Sequence, residues 1–334
     1  MIVCGVRPAV LCVLLPSLLA AVVSAEIIDH TAIDGVAALP QSTLDAIGQQ
    51  RWFFTHASVG SNMLSGLNDL HAADPGRYQL VTASVSYLSG QQRAANPPDP
   101  TVGGRVYECP RGNPGWQSKF TIFENSVEIS GWHAPAVDVA MDKLCYIDQD
   151  ADAAVYVNLM AALEAQYPQT VFVYITMPLT TSSDYDNVLR NVYNAAVRQH
   201  CGANSRLLYD LADMEAHDPN GNPATFTYQG QTYQRLCSGY TSDGGHLNTP
   251  GRQRIALGWY ATAAAIVGPD SPTGDLNCDG VIDFDDINPF VLALSDPVAY
   301  QAAYPNCDIL NGDCDGDGDV DFDDINAFVA LLGG

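Results

Sequence analysis

Apolar and polar positions follow two different rhythms between residues 26 and 267. Short runs rich in β-branched and aromatic residues read as strands: RWFFTHA from Arg51, QLVTASVSYL from Gln79, VDVAMDKLCYI from Val137, TVFVYITMPL from Thr170 and SRLLYDLADM from Ser205. Between them, SNMLSGLNDLH from Ser61, ADAAVYVNLMAALEAQY from Ala151, YDNVLRNVYNAAVRQH from Tyr185 and GRQRIALGWYATAAAIV from Gly251 are amphipathic stretches of helical type. Strand and helix taken in turn predict an α/β unit, a parallel sheet covered by helices on both faces. In such sheets ligands collect at the carboxyl ends of the strands, so strand exits are the places to look for chemistry. Two long connections, residues 90–116 and 216–241, exceed plain turns and are expected to shape a site.

Beyond residue 267 the rhythm changes. GPDSPTG, residues 268–274, is a Gly/Pro/Ser linker, and after it two helix-like stretches, INPFVLALS and INAFVALL, each follow an Asp-rich string. At the other end, MIVCGVRPAVLCVLLPSLLAAVVSA carries one Arg, an apolar run and a small-residue close, the layout of a secretory signal peptide over residues 1–25. Pro8 and Pro16 interrupt the run, which argues against a membrane anchor, and no later stretch is long and apolar enough to span a bilayer. The expected organisation is therefore a leader (1–25), an α/β domain (26–267), a linker (268–274) and a small α-helical domain (275–334), secreted or held at the cell surface.

Charge sharpens this division. The net charge is −24, and from Ser271 onward there are 14 Asp with no Lys or Arg, so the acidity belongs mainly to the C-terminal part. No basic patch exists for nucleic acid. Without the leader seven Cys remain, an odd number in a compartment that permits disulfides, and no CxxC pair suggests zinc.

Ser58 stands at the exit of the first strand and the entry to the first helix. A Ser there can present its hydroxyl at the sheet edge, with backbone N–H groups of the helix start as oxyanion donors, or it can be a plain helix N-cap. Asp243 and His246 occur as DGGH ahead of the last helix, a spacing that lets the carboxylate hold Nδ1–H while Nε2 accepts a hydroxyl proton. DGGHLNTPGRQRIA resembles the last block of the SGNH hydrolases, the GDSL esterase and lipase superfamily. That resemblance, over roughly residues 50–267, implies a flavodoxin-like three-layer fold with Ser58 as nucleophile, His246 as base and then acid, and Asp243 as its orienting carboxylate. It also implies an oxyanion hole of the Ser58 N–H and Gly112 N–H, with Gly115 the alternative. The chain departs from the family in carrying HASVG in place of the GDS string, and in ending its third strand at CYID, residues 145–148, where the family places GxND. Either another group stabilises the tetrahedral intermediate or catalysis is weak. His56 is expected to be a buried packing residue and Cys145 a buried apolar one, while Asp148 is left open between a site residue and a helix N-cap. Trp116, Tyr228 and Tyr233 are candidates for stacking on sugar rings or for closing a lid.

The Asp-rich strings DLNCDGVIDFDD (275–286) and DCDGDGDVDFDD (313–324) repeat at an offset of 38 residues. Each has oxygen side chains at positions 1, 3, 5, 9 and 12 and Gly at position 6, the frame that wraps Ca2+. Asp275, Asn277, Asp279, Asp283 and Asp286 fill the first and Asp313, Asp315, Asp317, Asp321 and Asp324 the second, with the carbonyls of Val281 and Asp319 at position 7. Two loops each followed by one helix resemble a dockerin domain. The resemblance implies two structural calcium ions and a cohesin-like module, or a surface or scaffold protein, as partner. Together the two resemblances imply a secreted serine esterase acting on an acylated polysaccharide or other carbohydrate ester. A non-catalytic carbohydrate-binding or scaffold-attached protein on an SGNH-like frame is the alternative, and a glycosidase using two of Asp148, Asp210 and Asp243 is a third.

Overall fold

The strand at Arg51–His56 illustrates how the sequence builds the α/β unit. Trp52 and Phe54 join one buried cluster and Phe53 the other, so a run that is apolar at successive positions must be covered on both faces. The computed structural model describes residues 26–99, 102–268, 273–304 and 307–332. The leader sequence and most of the linker lie outside these residues.

Strands are β1 (Ile27–Ile28), β2 (Arg51–His56), β3 (Val81–Ser84), β4 (Tyr87–Leu88), β5 (Arg93–Ala94), β6 (Arg105–Pro110), β7 (Val139–Asp142), β8 (Val171–Phe172), β9 (Tyr174–Ile175) and β10 (Leu208–Tyr209), with a hairpin of β11 (Thr225–Tyr228) and β12 (Gln231–Gln234). The main sheet is parallel in the order β3-β6-β2-β7-β8, and β9, separated from β8 by Val173 alone, continues it through β10 to β1. One face is covered by α1 (Gln41–Ile47), α2 (Val59–Ala73), α6 (Leu211–Ala216) and α7 (Thr249–Val267), the other by α3 (Trp116–Glu128), α4 (Ala153–Gln166) and α5 (Tyr185–Asn204). The order β6-β2-β7-β9-β10 is flavodoxin-like. The short, half-exposed β3 is added outside β6, and β1 closes the opposite edge.

Several expectations are corrected. The long connection 90–116 contains a central strand, β6, whose Val106, Tyr107 and Cys109 are buried beside β2. The connection 216–241 contains the β11–β12 hairpin. The run from Val137 is a strand only to Asp142, so residues 145–148 form a turn and not a strand end. Asp142 ends it by turning its carboxylate to the buried Arg111 and Thr55. SRLLYDLADM is strand only at Leu208–Tyr209, because the Asp210 carboxylate accepts from Asp213 N–H and starts α6.

Helices α2 and α7 cross closely. At the crossing, a Cβ on Gly66 would lie 2.6 Å from the carbonyl carbon of Arg252 and 3.0 Å from the Ala256 methyl. Arg252 also spans to Asp69 on α2, with Nε 2.7 Å from Oδ2 and Nη2 3.1 Å from Oδ1. No described helix is long and apolar enough to cross a membrane.

Residues 273–332 hold no strand among the described residues. They form α8 (Ile287–Ser295), α9 (Pro297–Ala303) and α10 (Ile325–Leu332) around a separate apolar cluster, with Phe290 and Phe328 stacked at 4.1 Å. A Cys278–Cys307 disulfide joins the first Asp-rich loop to the segment after α9, and Cys314 remains a thiol.

Candidate active site

Ser58 follows β2 directly and precedes α2. Its backbone has φ 56° and ψ −114°, a left-handed position that costs a non-glycine residue energy and is held only where the surroundings enforce it. The turn is tight enough that a Cβ on Gly60 would stand 2.5 Å from the His56 Cβ, which explains a glycine two residues after Ser58. Ser58 occupies the N-cap position, yet its hydroxyl caps nothing. Instead Oγ lies 2.6 Å from His246 Nε2, and His246 Nδ1 lies 2.7 Å from Asp243 Oδ2. Three side chains separated by up to 188 positions thus form one hydrogen-bonded line.

The loop that carries His246 is built by its own Asp. Asp243 Oδ1 accepts from Gly245 N–H at 3.0 Å and His246 N–H at 2.8 Å, and Thr241 Oγ1 accepts from the Gly244 N–H. These bonds and the His246 ring hold the Asp243 carboxyl well below its ordinary range, so it stays anionic. The loop is pinned outside as well: Thr181 N–H donates to Gly244 O at 2.9 Å, and Leu247 N–H donates to Asn62 Oδ1, on α2, at 3.2 Å. Asn248 then caps α7 by accepting from Gly251 N–H. The His246 and Asp243 side chains are 41% and 57% exposed, so the site is open and a bulky molecule can reach it.

Beneath Ser58 the strand exits are clamped by buried charge. Arg111, after β6, donates to Asp142 Oδ1 at 2.6 Å and to Lys143 O at 2.8 Å, while its N–H bonds His56 O at 3.1 Å. This fixes the ends of β6, β2 and β7 together, and Gly112, with φ +73°, follows Arg111 directly. No described residue accepts from the Gly112 or Ser58 N–H, so both remain available as donors. Gly115 instead occupies the N-cap position of α3.

The other candidates separate. His56 is buried, 2.7 Å from Glu108 Oε2 on β6, and stacks on Phe54, as expected of a packing residue. Burial pushes its imidazole down, with Glu108 opposing. Asp148 is neither a site residue nor a cap: it is buried against Lys119 Nζ and accepts from Cys145 N–H, while Asp152 caps α4. Asp210 pairs with Arg198 at 2.5 Å. With Asp243 committed to His246, no two of these three carboxylates form the facing pair a glycosidase needs. Trp116 packs on Phe120, Tyr233 on Phe226 and Tyr228 near Tyr185, so the three aromatics form no common platform.

One site residue escaped the sequence reading. Tyr146, in the turn after β7, stands edge-on to the His246 ring at 5.5 Å and lies against Gly245 of the same loop. Elsewhere, His30, Asp213 and His217 gather, but the imidazoles stack at 3.6 Å and His217 Nδ1 is 2.8 Å from the Asp213 carbonyl. That nitrogen donates to the carbonyl, so only Nε2 of His217 keeps a lone pair.

In the Asp-rich loops the two repeats fold alike. Asp286 Oδ1 accepts from Leu276 and Asn277 N–H, as Asp324 Oδ1 does from Cys314 and Asp315 N–H. Gly280 and Gly318, at φ +89° and +101°, make the turn and donate to Asp275 Oδ2 and Asp313 Oδ2. Asp275 is fully buried, and its Oδ1 has no hydrogen-bond partner among the described residues. Asp313, Asp315 and Asp317 bring carboxylate oxygens within 4.8 Å of one another, and Asp317 and Asp321 push the Asp319 carboxyl up. Phe284 and Phe322, at matching places in the repeats, are each 74% exposed.

No known family's sequence pattern matches the chain, and no curated protein aligns with it. Among solved structures, a GDSL-like lipase from Bacteroides thetaiotaomicron overlaps with a TM-score of 0.38 at 11% identity, covering 69% of this chain and 95% of that one. A protein named provisionally as an acylhydrolase, from Bacteroides fragilis, overlaps with a TM-score of 0.37 at 10% identity, covering 62% of this chain and 83% of that one. The overlap is loose at these scores, and functional assignment rests on the site itself.

Proposed function

We propose that the chain is a secreted serine ester hydrolase of SGNH type, acting on an acylated carbohydrate and held to a partner by a calcium-bound C-terminal domain. The observation that carries the reaction is the use of the Ser58 hydroxyl, which turns away from the helix it could cap and toward His246 Nε2 at 2.6 Å. In the first half-reaction Oγ attacks the ester carbonyl as its proton passes to Nε2, and His246 returns that proton to the leaving alcohol. In the second, His246 takes a proton from water, which attacks the acyl-enzyme, and returns that proton to Ser58 Oγ as the acid leaves. Asp243 fixes the tautomer and balances the imidazolium. The N–H groups of Ser58 and Gly112 are the donors this reading assigns to the developing oxyanion. An open site suits an ester presented on a polymer, and the dockerin-like module points the same way.

The calcium assignment fits the residues present. A buried carboxylate oxygen on Asp275 without a partner calls for a cation, and so does the mutual repulsion around Asp317. Asp275, Asn277, Asp279, the Val281 carbonyl, Asp283 and Asp286 would hold one ion, and Asp313, Asp315, Asp317, the Asp319 carbonyl, Asp321 and Asp324 the second. Bound calcium would neutralise these loops and fix their fold, with no part in ester cleavage. The exposed Phe284 and Phe322 are the apolar anchors for a cohesin-like or scaffold partner. The Cys278–Cys307 bridge suits an oxidising, extracellular setting.

The deciding experiment is hydrolysis of p-nitrophenyl acetate by the purified full chain. Ser58→Ala should abolish turnover and labelling by a fluorophosphonate; unchanged turnover would sink the assignment.

A further inference from the structure

We propose that the first Asp-rich loop is a calcium site under redox control: it holds its ion tightly only while the Cys278–Cys307 bridge is closed, whereas the second loop holds its ion whatever the state of the bridge. The inference rests on the calcium reading above and adds its regulation.

The two loops make the same turn with different residues at position 4. The second has Gly316 there, at φ +81°, and the first has Cys278, at φ +57°. A side chain in that left-handed turn costs energy that glycine avoids, so the cysteine stands there against the preference of the backbone. Its partner Cys307 is buried in the apolar cluster of the C-terminal domain, 29 positions away.

The bridge reaches the ligand end of the loop. Asn311 Nδ2 donates to the Asp275 carbonyl at 2.9 Å and lies 3.4 Å from Cys278 Sγ and 3.5 Å from Cys307 Sγ, while Asn311 O accepts from Gly274 N–H at 2.7 Å. Cys307 Sγ is itself 3.6 Å from the Asp275 carbonyl oxygen. The backbone of Asp275, the first ligand, is therefore held by groups that the bridge gathers, and its buried side chain keeps Oδ1 without a hydrogen-bond partner among the described residues. Asp315 to Asp319 of the second loop are exposed, and Cys314 beside them is a thiol.

The buried apolar cluster of this domain is small, so its fold depends on staples. The bridge and the first ion staple the same turn. Each reduces the ordering that the other must impose, and by linkage each strengthens the other by the same factor. Opening the bridge takes two electrons and two protons, which an external dithiol supplies. Its thiolate attacks the half-buried Cys278 Sγ and Cys307 leaves; its second thiol then closes a cyclic disulfide and releases Cys278, so both cysteines end as thiols. The first loop therefore takes up its ion after export to an oxidising compartment has closed the bridge.

The test is calorimetric titration of the full chain with calcium, with and without dithiothreitol, in two backgrounds that each leave one loop. In Asp317→Ala, which leaves the first loop, opening the bridge should weaken calcium binding by about tenfold or more. In Asp275→Ala, which leaves the second, the affinity should not change. Cys278→Ser with Cys307→Ser should reproduce the effect of dithiothreitol. In the wild-type chain, saturating calcium should raise by the same factor the ratio of reduced to oxidised dithiothreitol needed to open half of the bridges, read by mass after alkylation. Unchanged affinity of Asp317→Ala on reduction refutes the redox control and leaves the calcium reading standing. Equal weakening in both backgrounds also refutes it, because the bridge then holds the whole domain and not the first loop. If the oxidised wild-type chain binds no calcium, the calcium reading fails and the coupling fails with it.

Discussion

The distance between nucleophile and base is set by the crossing of two helices, and Gly66→Ala tests that directly. α2 begins at the Ser58 turn and α7 begins three residues after His246, so any parting of the helices separates Oγ from Nε2. The new methyl would stand 2.6 Å from the Arg252 carbonyl carbon and closer still to its oxygen, and this is backbone that cannot rotate away. An ordinary contact needs about 3.4 Å, so the helices must part by on the order of 1 Å. Ala gains about 1 kcal/mol of helix propensity over Gly, and overpacking costs about 1–3 kcal/mol, so the net loss is about 0–2 kcal/mol. In a domain this large that is a fall in Tm of at most roughly 8 °C. The catalytic effect should be larger, because a misplacement of about 1 Å costs on the order of 10²-fold in rate and the Ser58–His246 bond has only 2.6 Å to begin with. Gly202→Ala on α5 is the matched control, since a Cβ there meets nothing within 4 Å. It should leave kcat unchanged and raise Tm slightly. Thermal melts and p-nitrophenyl acetate kinetics on both variants decide the matter. Full kcat with a raised Tm in Gly66→Ala would show that the crossing does not set the catalytic geometry.

Two further predictions concern buried charge and metal. Glu215 is fully buried, and burial pushes its carboxyl up to about 8, with Lys143 and Arg190 opposing. Because the unfolded chain ionises this group near 4.5 and the folded chain does not, stability should fall as pH rises from about 4.5 to 8, by a few kcal/mol at most. Glu215→Gln should flatten the dependence of Tm on pH across that window; an unchanged slope would contradict a buried, protonated Glu215. Calorimetric titration of the full chain should find two calcium ions, and Asp275→Ala should remove one without changing ester turnover. Loss of turnover on chelation would instead give the metal a part in the chemistry.

The sequence was most legible where the local pattern was strongest. RWFFTHA and the helix after it are unmistakable by period, and DGGH contains within four residues both the base and the groups that fold its loop. β6 was hidden because Arg105 and Glu108 interrupt an otherwise apolar segment, and the reason for Glu108 lies in His56, 52 positions away. The early end of β7 reflects a buried Arg111–Asp142 pair that no local pattern announces. Asp210 before LADM carried an N-cap signal that the preceding apolar run masked. Tyr146 has no signal in the sequence, because its position depends on which strand neighbours β2.

The order of these parts along the chain has a consequence in time. Ser58 precedes His246 by 188 residues, and the two meet only when α7 has packed against α2. At roughly 5–20 residues per second of synthesis, the hydroxyl exists on the order of 10–40 s before its base does. A nascent or partly folded chain therefore holds an inert serine, and reactivity is switched on by the last helix of the α/β unit to be made.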